Sequence, residues 1–178
     1  MEAHGVVPDV IDATPPSIAE VYYGSLKLEL GNVLTPTQVK DVPTHISWPT
    51  EDGVLYTLLM TDPDAPTRSN ATYREMLHWR VVNIPKTDIS KGDSLTAYVG
   101  SGAPKGTGLH RYIFLVYKQQ GETEFELPRV SNRSREGRRN FNTRKFAAEY
   151  NLGSPVAGNF FQAEYDDYVP KLHKQLNG

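Results

Sequence analysis

Apolar and charged positions alternate strictly through Leu26-Lys27-Leu28-Glu29-Leu30, the pattern of a strand with one face on a core and one in water. Gly31-Asn32 breaks the alternation, and Thr35-Pro36 marks a further turn. His45-Ile46-Ser47-Trp48 is expected as a short strand ending at Pro49. Val54 to Thr61 is apolar for most of its length, as in a strand buried on both faces. Pro63 and Pro66 stop it, because proline removes a ladder donor. The pattern predicts further strands over His78 to Ile84 and Leu95 to Gly100. His110 to Lys118 carries the strongest strand signal, and Phe125-Glu126-Leu127 is expected to finish the sheet.

Helical signals come late. Asn142 can cap a helix running through Phe146 to Tyr150, with Phe141 and Phe146 placed as a hydrophobic staple and Gly153 as its end. Val169 to Leu176 forms a second short helix with Pro170 in its first turn. Strands followed by helices predict a mainly β fold, an antiparallel sheet with short peripheral and C-terminal helices. Neither an internal repeat nor a low-complexity linker interrupts the chain, so residues 1–178 are taken as one domain.

Composition narrows the function classes. Nineteen Lys plus Arg against 21 Asp plus Glu give a net charge of −2, which supplies no overall field for nucleic acid. The absence of cysteine excludes disulfides, thiolate catalysis and cysteine-based zinc sites. Residues 1–9 have neither a basic nor an apolar leader pattern, and no apolar run approaches the roughly 20 residues of a membrane span. A cytoplasmic protein is expected.

Three segments can carry chemistry. In Asp62-Pro63-Asp64-Ala65-Pro66, two carboxylates flank a proline just past a buried strand. Such a stiff turn can hold Asp62 to orient a histidine or accept a ligand's hydrogen bond; equally, the carboxylates can cap backbone N–H groups as in an Asx-turn. His110 and Tyr112 lie two apart on a strand and share a face, while Arg111, Ile113 and Leu115 point the other way. His78 opens a strand of its own. The loop Gly100 to Gly108 fits neither nucleotide motif, because Lys105-Gly106-Thr107 reverses the Walker order and Lys105 stands where the dinucleotide fingerprint needs glycine. It can still form a nest of N–H groups for an anion. The basic run Arg129 to Arg139, extended by Arg144-Lys145, can meet a phosphorylated or anionic surface, and reads first as a solvated charged loop.

Taken in order, these segments resemble a known family. Thr61-Asp62-Pro63-Asp64-Ala65-Pro66, Tyr73-Arg74-Glu75, His78 and Val81-Val82-Asn83 are similar to the first signature of the phosphatidylethanolamine-binding proteins, also called Raf kinase inhibitor proteins. Gly100-Ser101-Gly102-Ala103-Pro104-Lys105-Gly106-Thr107-Gly108-Leu109-His110-Arg111-Tyr112 is similar to the second. Pro155-Val156-Ala157-Gly158 and Ala163 to Leu172 resemble the family's C-terminal end.

The resemblance implies a large central antiparallel sheet, a smaller second sheet and peripheral helices. It implies a small pocket lined by Asp62, Tyr73, His78, Gly102, His110 and Tyr112, binding phosphate-like anions, a phosphorylethanolamine head group or some nucleotides without a cofactor and without catalysis. His173 stands where animal members often carry tyrosine and is expected at the pocket mouth as a pH-sensitive donor. Ala103, where proline is common, is expected to loosen the glycine loop. A protein kinase or a serine protease is the partner class implied, with peripheral membrane contact at most and a monomeric state. Metal-dependent hydrolysis through Asp62, Asp64, His78 and His110 is the weaker alternative, because no compact metal-ligand spacing is present.

Overall fold

The computed structural model describes residues 1–178. Nine strands form two sheets: β1 (Ser17–Ile18), β2 (Glu20–Tyr23), β3 (Leu26–Lys27), β4 (His45–Ser47), β5 (Leu55–Asp62), β6 (Met76–Pro85), β7 (Asp93–Thr96), β8 (His110–Lys118) and β9 (Ala157–Ala163). The large sheet has the order β1-β9-β8-β5-β6-β7, and the small one β3-β2-β4. A short helical segment, α1 (Val6–Asp9), precedes the strands, and α2 (Thr143–Glu149) and α3 (Val169–Leu176) come late. The mainly β fold with a second sheet is the one expected.

One feature departs from a wholly antiparallel sheet. β1 runs parallel to β9, so the large sheet is mixed at that edge. The remaining pairs, β9·β8, β8·β5, β5·β6 and β6·β7, are antiparallel.

β8 lies between β5 and β9 and is buried from His110 through Tyr117. Its alternate residues feed two cores. Tyr112, Phe114 and Val116 join Val21, Met60, Trp79 and Phe161 beneath the small sheet. Ile113, Leu115 and Tyr117 join Val6, Leu77, Phe146 and Phe160 beneath the N-terminal segment and α2. A sheet covered on both faces needs apolar residues at successive positions, which explains the unbroken runs in β5 and β8.

Several local expectations change. β3 is only two residues long: Leu28 N–H still reaches the Val21 carbonyl at 3.0 Å, but Leu30 turns to φ 52° and the chain leaves the sheet. β7 stops at Thr96, because Ala97 turns its N–H to the Val130 carbonyl. Phe125 to Leu127 adds no strand; Phe125 instead packs on Tyr150, ring centroids 4.6 Å apart. The Asn142 cap is present, its Oδ1 accepting from Lys145 N–H, and the Phe141 ring lies tilted against Phe146, centroids 5.7 Å apart. That helix ends before Gly153. Asn151 takes the left-handed turn at φ 52°, and Leu152 N–H reaches back to the Ala147 carbonyl, a Schellman closure with asparagine in the glycine position.

Asn159 on β9 ties the sheet to the strand-connecting loops. Its Nδ2 donates to the Ala19 and Leu28 carbonyls, and its Oδ1 accepts from Leu30 N–H, all with the side chain fully buried. Asn159→Ala leaves these backbone groups without partners inside the protein and is expected to cost at least about 2 kcal/mol in urea unfolding.

Candidate functional site

Strand ends and loops converge at one end of the large sheet. β5 ends at Asp62, β6 brings His78, and β8 begins at His110. The glycine loop crosses this end, and α3 closes it from outside. Together they enclose a cavity of about 130 Å³. Its wall includes Asp62, Tyr73, His78, Gly102, His110, Tyr112 and His173, so all seven residues singled out in the sequence meet there. Asp64 does not line it.

The two carboxylates of the Asp62-Pro63-Asp64 turn separate to opposite faces of β8. Asp62 Oδ2 accepts from His110 Nδ1 at 2.8 Å, while its Oδ1 accepts from Asp64 N–H at 2.7 Å. Both readings of the turn therefore hold at once: Asp62 closes an Asx-turn and orients a histidine. Asp64 turns the other way and is gripped by Arg111, which donates from its backbone N–H and Nε to Oδ2, each at 2.9 Å, and from Nη2 to Oδ1 at 2.6 Å. Both side chains are fully buried. Burial alone would raise the Asp64 carboxyl, but the Arg111 hydrogen bonds and charge outweigh it and hold the group below the ordinary carboxylate range. Arg111 Nη1 also donates to the His4 carbonyl at 2.8 Å and meets Asp9 at 2.9 Å, anchoring the N-terminal segment. Asp64 is thus a structural ion-pair partner. The four-residue metal set is not assembled, and no group of three His, Asp or Glu side chains is placed to hold a metal ion.

The two pocket histidines are driven in opposite directions. Burial pulls His110 down, yet its bond to Asp62 and that carboxylate's charge raise it overall. Its Nε2 lies 3.0 Å from Thr107 Oγ1, whose own proton reaches the Pro104 carbonyl at 2.8 Å. Thr107 then offers a lone pair, which suits an imidazolium donating from both nitrogens. His78 is lowered, first by burial and further by the charge of Arg138, against the opposing pull of Asp62. Its Nδ1 donates to the Val99 carbonyl at 2.9 Å, and Val99 N–H returns a bond to the His78 carbonyl at 3.1 Å. Neutral His78 therefore presents Nε2 as an acceptor.

Tyr112 lies between them, edge-on to His78 at 5.2 Å and stacked toward His110 at 6.3 Å. Its hydroxyl is buried, and its proton has no acceptor within the chain. Burial, with the Asp62 charge adding, pushes it well above the ordinary tyrosine range, so it is a donor at any physiological pH.

His173 fixes the outer wall. Its Nε2 donates to the Gly102 carbonyl at 2.7 Å, so the ring fastens α3 to the glycine loop. The expectation of His173 as a ligand donor is revised for that nitrogen. Gly102 leaves close quarters: a Cβ there would meet Leu172 Cδ2 at 3.0 Å and push that side chain aside by a few tenths of an ångström. Ala103 is 2% exposed, packed into the cavity wall.

Three wall residues were missed. Arg135, Arg138 and Arg139 come from the basic run read as a solvated loop. Arg138 is 1% exposed. Its five N–H groups go to five carbonyls, those of Ser134, Leu77, His78, Ala97 and Ser131. Burial pushes it down to about 10, so it stays charged at neutral pH. A charge run gives no sign of which member will be buried, because the carbonyls that receive Arg138 come from three separate stretches of chain.

A model of the phosphatidylethanolamine-binding protein family matches residues 24–161, and the chain belongs to that family. The candidate odorant-binding protein A5 of Drosophila melanogaster is 40% identical over 179 residues, spanning 100% of this chain and 85% of that protein. The solution structure of CG7054 is 55% identical with a TM-score of 0.78, covering 97% of this chain and 98% of the other. Carboxypeptidase Y inhibitor, solved in complex with its cognate proteinase, is 29% identical with a TM-score of 0.79 over 93% of each chain. No helix of this chain is long and apolar enough to cross a membrane.

Two predictions follow from the pairing of groups. By imidazole NMR, His110 is expected to titrate above the ordinary value of about 6.5 and His78 below it, with Asp62→Asn lowering His110. The stability that His110 contributes is fully present below about pH 6.5 and is lost as pH rises through its raised folded value. His78 acts oppositely, costing stability as pH falls from about 6.5 to its lowered folded value. Separately, Arg111→Leu strands a buried carboxylate and is expected to destabilise the fold by about 3–5 kcal/mol in urea, far more than removal of the exposed Lys86–Asp52 pair.

Proposed function

We propose that the chain is a non-catalytic binder of a phosphorylated or otherwise anionic group, such as the head group of phosphatidylethanolamine or free phosphate. The site residues in this reading are Asp62, Tyr73, His78, Gly102, His110, Tyr112 and His173, which line the cavity either as ligand contacts or as supports of its wall. The observation that carries this reading is the buried Tyr112 hydroxyl, whose oxygen is approached by the Gly102 and Ala103 N–H groups but whose proton has no acceptor within the chain, in a cavity whose wall holds the cation Arg138 and the Asp62-bound His110. A buried polar hydrogen without an acceptor is costly, and an anion's oxygen relieves that cost.

Within the reading the residues have separate roles. Tyr112 donates to the ligand. Arg138 acts mainly as a fixed positive charge, and His110 adds a second one when protonated, since the N–H groups of both are already bonded. His78 accepts from a protonated ligand oxygen. Asp62 serves as the orienting partner of His110; both its oxygens are occupied, which disfavours its service to an ammonium group. Residues 1–178 act as one domain, a cytoplasmic monomer in this reading, with membrane contact limited to a head group and nucleic acid outside the partner classes.

A second reading, inhibition of a serine protease through the protein surface, is favoured by the likeness to carboxypeptidase Y inhibitor over 93% of the chain. The two readings are compatible. Kinase regulation rests on the family resemblance alone.

Titration with inorganic phosphate, followed by backbone and imidazole NMR, tests the first reading. Shifts at His78, Gly102, His110 and Tyr112 at millimolar phosphate are expected, reduced by Tyr112→Phe. Unmoved signals at those four positions would sink it. Protease inhibition that survives Tyr112→Phe would assign inhibition to a different surface.

A further inference from the structure

The charged groups around the cavity are unequal in sign. Asp62 is the only carboxylate in its wall, against Arg135, Arg138 and Arg139. Asp62 is 3% exposed and engaged by His110 and the Asp64 amide. None of the three arginines makes an ion pair; the chain's ion pairs use Arg74, Arg111, Arg129, Arg144, three lysines and His110. Arg138 is locked behind the wall by its five carbonyl bonds. Arg135 and Arg139 are different. Both are more exposed, and both still line the cavity.

Each of these two is held in place while leaving donors free. The Arg139 guanidinium lies over the Tyr73 ring at 4.3 Å, which fixes its plane without using its N–H groups. Arg135 Nε donates to Asn177 Oδ1 at 3.2 Å, tying it to the end of α3 and leaving its Nη donors uncommitted. Their like charges are close enough that Arg139, after burial, lowers Arg135. Two unpaired guanidinium groups on the wall of one cavity are relieved by an anion that both can reach.

We infer that Arg135 and Arg139 form a second anion subsite at the mouth of the cavity, so that the preferred ligand carries two linked anionic groups, a diphosphate-type ligand, and not a phosphate joined to an ammonium group. The inference rests on the phosphate reading of the cavity and adds its specificity. A cavity of about 130 Å³ takes one phosphate-sized group, which leaves the second at the mouth where the two arginines stand. The ammonium of phosphorylethanolamine would face these cations with no free carboxylate in the wall.

Isothermal titration calorimetry with inorganic phosphate, phosphorylethanolamine and pyrophosphate tests this, using the full chain and three variants. Pyrophosphate is expected to bind about tenfold tighter than phosphorylethanolamine. Arg139→Gln and Arg135→Gln are each expected to weaken pyrophosphate about tenfold while changing phosphate less than threefold. Lys171→Gln removes an exposed cation of α3 that does not line the cavity, and is expected to leave both ligands nearly unchanged. Equal binding of pyrophosphate and phosphorylethanolamine overturns the subsite while leaving the phosphate reading intact. So does an equal loss of pyrophosphate affinity in Arg139→Gln and Lys171→Gln, which would mean a diffuse charge effect. Failure of phosphate itself to bind removes the cavity reading and the subsite together.

Discussion

The turn Asp62-Pro63-Asp64 clamps the start of β8 from both sides, and the rest of the site depends on it. Consecutive residues of a strand point to opposite faces, so His110 and Arg111 diverge. The two carboxylates, spaced by one proline, diverge to match: Asp62 to His110 and Asp64 to Arg111. On one face this builds the cavity. On the other it places a fully buried ion pair that also holds the N-terminal segment through the His4 carbonyl and Asp9. A buried pair of this kind is strongly directional, because either charge alone would be very costly in the interior. It therefore fixes the register of the turn against β8, and with it the position of Asp62.

Around that clamp the cavity is assembled from contacts that each join distant chain segments. His78 and Val99 exchange bonds, pinning the start of the glycine loop to β6. Thr107 holds the far end of the loop on His110, and His173 fastens its middle to α3. The missing side chain of Gly102 lets Leu172 pack close. The walls are thus tied together from several chain segments, and their electrostatics follow from burial. Arg138 stays positive because five carbonyl dipoles replace its water, and its field helps keep His78 neutral. A pocket with fixed positive charge, a neutral imidazole acceptor and a phenolic donor suits an anion that still bears a proton.

Much of this was legible along the chain. β8 was readable residue for residue, since a doubly buried strand needs an unbroken apolar run. α3 was readable from Pro170 in its first turn, and the Asn142 cap and Phe141 staple from local chemistry alone. β9 was not. Ala157-Gly158-Asn159-Phe160-Phe161 has a glycine and an asparagine where strand propensity is low, and its pairing with β8 and β1 supplies what local preference lacks. Asn159 is a strand residue because its amide answers backbone groups more than a hundred positions away. The last turn of α2 was misplaced for a related reason: asparagine and glycine both tolerate the left-handed conformation, and packing of Leu152 selected Asn151.

The sequence by itself determined the strand-rich class, the shared face of His110 and Tyr112, the stiffness of the Asp-Pro-Asp turn and, through two ordered motifs, which residues were candidates for a common pocket. These are properties of spacing and backbone chemistry within a few residues. Only the tertiary structure decided that Asp64 belongs to an ion pair and Asp62 to the cavity, that the His173 Nε2 fastens a helix, and that Arg138 of a charged loop is buried while Arg135 and Arg139 stand at the mouth. Each of those outcomes depends on partners far apart in sequence, and a charge or a hydrogen bond acquires its role only when the fold sets its distance and removes the water between.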